Sequence, residues 1–153
     1  MLRLSKLGDY GTVIMAHMAR EPARLFSAAE VSAAVGVGLA TVSKLLKLLT
    51  REGLLVSYRG TKGGYTLART PDEISIAQII DAVEGTMGMT ECSVTAGLCA
   101  QERECLARGS WLRINQAVRS ALEGVRLAEF ARPVVTTVEF RSMQAGGRIG
   151  PAG

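Results

Sequence analysis

A mainly α-helical fold with one small β-hairpin is predicted by three features of the sequence. Apolar residues recur at helical spacing in several separate segments, a single stretch from Leu54 to Leu67 reads as paired strands about a glycine-rich turn, and Gly, Pro and Ser punctuate the joints. A chain of 153 residues with 48% hydrophobic residues is long enough to bury one real core. It carries no apolar run of about 18 residues such as a bilayer-spanning helix needs. Gly8 and Asp9 stand where an export signal would place its apolar run, so a cytoplasmic location is expected, with no membrane partner.

The first helix follows from Tyr10, Val13, Ile14 and Met18, and Arg20-Glu21-Pro22 ends it. Ser27 is a favourable N-cap and Glu30 completes a capping box, giving a short second helix with Val31, Ala34 and Val35 inside and Gly36 as its stop. Beyond the Gly36-Val37-Gly38 turn, Leu39, Val42, Leu45, Leu46 and Leu49 trace an amphipathic, basic third helix to Arg51. Two short helices across such a turn form a helix-turn-helix pattern. Leu54 to Tyr58 then reads as a strand, Arg59 to Gly64 as a basic turn and Tyr65 to Leu67 as the return strand, which together make a wing. Ser75 caps a further helix through Ile76, Ile79, Ile80 and Val83. Gly85 to Arg103 lacks periodicity and reads as a loop. From Cys105 onward, Leu106, Trp111, Leu112, Ile114, Val118, Leu122 and Val125 mark a long helix whose broad apolar surface suits dimerisation. Leu127 to Ala131 adds one last turn, Val134 to Phe140 a strand or extended arm, and the Gly-rich Arg141 to Gly153 a disordered tail.

Charge divides the chain. Residues 1–70 carry a net +6 and residues 71–153 a net −2. A basic head with an acidic remainder fits a nucleic-acid-binding module joined to a sensing or pairing segment, with an ordinary solvated surface as the alternative. All three cysteines fall in one window, Cys92-x6-Cys99-x5-Cys105. Thiolates are soft ligands for iron–sulfur clusters or zinc, and three brought together repel unless something cationic neutralises them. Zinc is disfavoured, since no Cys-x2-Cys knuckle is present and His17 is remote in sequence. A redox-reactive or merely buried thiol set is the remaining reading. Glu91, Glu102 and Glu104 near the cysteines read as solvated loop carboxylates, and Asp9 as favourable charge in a first helical turn.

The opening Leu2-Arg3-Leu4-Ser5-Lys6, the stretch Arg51-Glu52-Gly53-Leu54-Leu55, the wing from Arg59 to Tyr65, and the three spaced cysteines followed by Trp111 resemble the Rrf-two family of winged-helix regulators. The likeness runs from about Leu2 to Arg132. It implies a homodimer with the long helix as its seam, a cluster-holding loop near the DNA-binding heads, and regulated binding of double-stranded operator DNA. Cys92, Cys99 and Cys105 fall on the family's cluster cysteines. Where one branch of the family has a histidine ligand three residues past the third cysteine, this chain has Arg108, which cannot bind iron. In the nitric-oxide-sensing branch an N-terminal aspartate of the partner subunit is the fourth ligand, and that position is Asp9. The resemblance therefore implies an iron–sulfur cluster, of 4Fe-4S form in preference to 2Fe-2S, held by Cys92, Cys99, Cys105 and Asp9. It also places Thr41, Ser43, Lys44 and Lys47 at the major groove, Arg59 in a minor groove and Lys62 at phosphate.

The expected organisation is a winged helix-turn-helix DNA-binding domain over 1–84, a cluster-binding loop and dimerisation helix over 85–132, and a C-terminal arm over 133–153. The expected function is a cluster-sensing transcription regulator, a repressor of SUF-type iron–sulfur assembly genes that responds to iron, redox or nitric-oxide status. A dedicated nitric-oxide-sensing repressor and a metal-free thiol redox regulator are the alternatives. An enzymatic reading finds no nucleotide loop, no histidine-containing triad and no paired carboxylates, and no small-molecule substrate is expected.

Overall fold

Local capping sets the helices. Ser5 Oγ accepts the N–H of Gly8 at 3.1 Å and opens α1, Lys6–Met18. Ser27 and Glu30 exchange both bonds of a capping box at the start of α2, Ala28–Val35, and Gly36 closes it in the left-handed region at φ 69°. Helix α3, Leu39–Arg51, buries Val42, Leu45, Leu46 and Leu49 completely, as its spacing predicts, but Leu39, expected on the same face, stands exposed in the first turn. Strands β1, Leu55–Tyr58, and β2, Gly64–Leu67, pair antiparallel, with Leu55 opposite Leu67 and Tyr58 opposite Gly64. After a single 3-10 turn at Pro71–Glu73, the Ser75–Gln78 capping box opens α4, Ile76–Glu84. Then come α5, Glu91–Val94, α6, Arg108–Gly124, and α7, Leu127–Ala131. The computed structural model describes residues 3–97 and 99–132. The arm expected at Val134 to Phe140 and the tail from Arg141 lie outside the described residues.

Three expectations need correction. The stretch read as loop from Gly85 to Arg103 contains the one-turn helix α5, and the long helix starts at Arg108 rather than Cys105. The delay has a local cause: Glu102 N–H donates to Cys99 O, Glu104 N–H to Gln101 O, and Arg108 N–H to Cys105 O. These three-residue bonds wind the cysteine segment into successive tight turns, and α-type bonding resumes only where Trp111 N–H reaches Ala107 O. Val125 is extended rather than helical.

The core lies where α1, α3, α4 and α7 meet. Ile14, Met15 and Met18 from α1 pack with Leu45 and Leu46 from α3, Ile79 from α4 and Leu127 from α7, all fully buried. Helix α6 buries none of its 17 residues within the single chain. It is fastened at its C-terminal end, where Ile76 N–H donates to Val125 O at 3.0 Å and Leu127 N–H to Ile74 O at 2.8 Å. Among the described residues no single helix is long and apolar enough to cross a membrane.

The wing is fixed to the head by a third short pairing. Phe26 and Tyr65 exchange two backbone hydrogen bonds of 2.8 Å each, and a Cβ on Gly64 would come within 2.5 Å of Phe26 O. Gly64→Ala is therefore expected to lower stability by about 1–3 kcal/mol in urea unfolding. An unchanged midpoint would show that the wing yields freely there.

The caps also predict an acid response. The Ser27 backbone N–H, then its hydroxyl, then Arg24 hold the Glu30 carboxyl below its ordinary range, and the Thr70 hydroxyl and N–H do the same for Glu73. A carboxyl depressed in the folded state stabilises above its unfolded pKa, and that contribution is lost as pH falls through the folded value. The melting temperature should thus drop in acid more steeply for wild type than for the double variant Glu30→Gln, Glu73→Gln. Parallel curves would sink this account of the caps.

Candidate functional site

The polar face of α3 and the wing form one basic edge. Because α3 turns its leucines inward, Ser43, Lys44 and Lys47 fall on the opposite side, where with Ala40, Leu48 and Arg51 they line a shallow groove of about 410 Å³. Lys44 and Lys47 are exposed and Ser43 half-buried. Thr41 is half-buried and does not line this groove. On the wing, Arg59 and Lys62 are both exposed beside Gly60 and Gly63, and Gly63 N–H donates to Gly60 O across the tip at 3.0 Å. Among the described residues none of Lys44, Lys47, Arg59 and Lys62 pairs with a carboxylate. Their charges are thus available to an anion. Arg51, at the end of the same groove, was not singled out from the sequence; its place one turn beyond Lys47 was the available signal, and it pairs with Glu52 at 3.2 Å.

The cysteine segment builds the second feature. Cys92, Cys99 and Cys105 are all free thiols and all partly buried. Cys99 and Cys105 line one cavity of about 1020 Å³ together with Gly97, Glu102, Glu104 and Arg108. Cys92 sits apart on α5, where its sulfur lies 3.2 Å from Thr90 Oγ1. Among the described residues no three His, Cys, Asp or Glu side chains stand together at metal-binding spacing. Asp9, exposed in the first turn of α1, lines a different cavity of about 720 Å³ with Arg3, Glu84 and Trp111. Within one chain, then, Asp9 and the cysteines do not meet. His17 packs edge-on against Phe26, with ring centroids 5.5 Å apart, far from this loop in the sequence.

Two polar joints around this loop were not anticipated. Glu102, read as a solvated carboxylate, is largely buried: it accepts from Arg108 Nη2 at 2.7 Å and from the backbone N–H of Gly97. Ahead of the loop, Asp81 on α4 accepts two bonds from Arg119 on α6, at 2.8 and 3.3 Å, and a third from Met87 N–H at 3.4 Å. Asn115 of α6 accepts from Met89 N–H at 3.2 Å. The segment leading to Cys92 is therefore held by α4 and α6 together, and α4 packs in turn on α3. No local pattern marks such partners, which sit on separate elements.

The family model Rrf2, described as "Iron-dependent Transcriptional regulator", matches residues 4–133. The chain belongs to the Rrf2 family. The HTH-type transcriptional regulator IscR of Aliivibrio salmonicida is 31% identical over 132 residues, covering 84% of this chain and 76% of that protein. The oxidized form of CymR from Staphylococcus aureus superposes with TM-score 0.66 at 28% identity, over 88% of this chain and 100% of that one. IscR of T. potens superposes with TM-score 0.65 at 25% identity, over 84% and 85%. The winged-helix architecture expected from sequence is thus the architecture of Rrf2 regulators, and this chain is an IscR-like transcriptional regulator.

Proposed function

We propose that this Rrf2 protein is a homodimeric, cluster-sensing repressor of SUF-type iron–sulfur assembly genes, responding to iron, redox or nitric-oxide status. The observation that carries the reading is the pairing of Cys99 and Cys105 in one cavity whose wall includes a buried guanidinium nitrogen, Arg108 Nε, without an acceptor among the described residues. The chemistry of the donor set fits an iron–sulfur cluster: two free thiols share the cavity, a third lies seven residues ahead of Cys99 on α5, and a guanidinium already paired with Glu102 keeps one N–H for sulfur. Cys92, Cys99 and Cys105 would hold it, with Asp9 of the partner subunit as fourth ligand; a 4Fe-4S form is favoured over 2Fe-2S. When bound, such a centre supplies a reaction site for oxidants, nitric oxide or iron depletion.

Everything else is done by the chain. Gathering Cys92 toward the other two thiols displaces α5, and the Met87–Asp81 and Met89–Asn115 bonds pass that displacement to α4 and α6. Helix α4 touches α3, and α6 is the proposed seam, so the spacing of two heads follows the state of the loop. The proposed division is a DNA-binding unit over 1–84 and a sensing and pairing unit over 85–132. On DNA, Ser43, Lys44 and Lys47 with Thr41 would face the major groove, Arg59 a minor groove and Lys62 a phosphate.

The test compares loaded and chelator-stripped protein for duplexes that the loaded protein selects from a random pool. An affinity difference of about 5- to 150-fold is expected, the range of a coupling free energy between two sites. Equal affinities in both states would remove cluster sensing from the account. A second outcome is expected on the DNA side: Lys44→Ala weakens all duplexes alike and flattens the salt slope by roughly one unit if it meets phosphate. A change in sequence preference instead makes Lys44 a base reader. A metal-free thiol switch is the second reading. It is supported by the three free cysteines and by the likeness to an oxidized CymR, and it predicts a colourless anaerobic protein with full DNA binding.

A further inference from the structure

Arg108 is set apart by an unused donor. Its Nη2 donates to Glu102 at 2.7 Å, and the second oxygen of the same carboxylate takes the backbone N–H of Gly97, so two bonds close the turns that carry Cys99. Glu102 keeps only 14% of its side chain exposed, a strong commitment for a carboxylate. Nε of the same guanidinium is buried and finds no acceptor among the described residues. The Arg108 side chain as a whole keeps 40% of its surface exposed, but its Nε–H is shielded from water, and a guanidinium cannot give up that proton. Arg108 lines the cavity of Cys99 and Cys105; of the acceptor side chains there that it does not already use, Gln101 and Glu104 are exposed to water, whereas the two thiols are partly buried.

We propose that Arg108 is a positioning residue for the sulfur-bound centre, with its Nε–H donating to a thiolate of the Cys99–Cys105 pair, while the Arg108–Glu102–Gly97 bonds keep the turns in shape. The inference rests on the cluster reading above. The position that departs from the family's histidine pattern thus acquires a different role: with its charge balanced by Glu102, it supplies one directed hydrogen bond that holds the ligands against exchange. The donor also favours the more negative, reduced state of the centre, because hydrogen bonds to sulfur help set the potential.

The experiment uses full-length wild type, Arg108→Ala, Arg108→Lys and Glu102→Gln, reconstituted anaerobically with ferrous iron and sulfide. Circular dichroism, iron and sulfide are measured first, then the rate of loss to EDTA and the reduction potential. Wild-type loading is expected at time zero in all four. Loss is expected to be roughly ten- to a hundredfold faster in Arg108→Ala, the usual cost of removing a group that orients metal ligands. Arg108→Lys, which keeps the charge but not Nε–H, should also lose the centre faster, and both variants should shift the potential to more negative values. A purely structural role would not move the potential of a loaded protein. If Arg108→Ala fails to fold, Arg108→Lys carries the test alone. Wild-type retention and potential in Arg108→Lys overturn this proposal while leaving the cluster reading intact, whereas a wild type that takes up neither iron nor sulfide overturns both.

Discussion

Cys99→Ala is expected to bring the iron and sulfide retained after anaerobic reconstitution down to background, with helical content unchanged. Cys99 is partly buried, lies outside the core and sits in a segment of short turns, so its removal opens no cavity among Ile14, Leu46 and Ile79. What it removes is one of two thiols that share a cavity with Arg108. The remaining pair, Cys105 and Cys92, which does not line that cavity, leaves too few soft donors to hold a cluster, and His17, packed against Phe26, does not replace the lost thiol. Cys105→Ala should behave alike. Iron and sulfide counting beside circular dichroism checks this, and a fully loaded Cys99→Ala would remove Cys99 from the ligand set.

Ile114→Asp is expected to turn the proposed dimer into a monomer at micromolar concentration, seen by sedimentation, while leaving the thermal unfolding of each chain close to wild type. Leu106, Trp111, Leu112 and Ile114 lie on or just before α6, and all remain exposed in the single chain. A helix of this length with so much apolar surface needs a partner, and a second α6 offers a matching face. An aspartate buried in that seam lacks a counter-charge and costs several kcal/mol, enough to weaken association at least about a hundredfold. Operator binding should fall with it, since two heads joined by a seam grip two half-sites together. A stable dimer of Ile114→Asp would place the seam elsewhere.

Most of the head was legible because its determinants are local. Ser27 with Glu30 and Ser75 with Gln78 write their helix starts within four residues, and the leucines of α3 declare its inner face by spacing alone. The Phe26–Tyr65 pairing was not legible, since a two-residue bridge between remote segments leaves no periodic trace. The same holds for Asp81 and Arg119, which lie on separate helices, and for Glu102, whose burial depends on a guanidinium six residues ahead. α5 is a single turn closed by Thr90 and Ser93, too short for any apolar period. The cysteines were visible by clustering, but which two share a cavity depended on the turns between them.

The central claim is that three thiol side chains of this loop hold an inorganic centre. The direct measurement is iron and acid-labile sulfide per chain in protein isolated without oxygen, with native mass spectrometry of the same sample. The account predicts about two to four of each per chain in near-equal amounts. Protein that holds neither, as isolated and again after reconstitution, contradicts it.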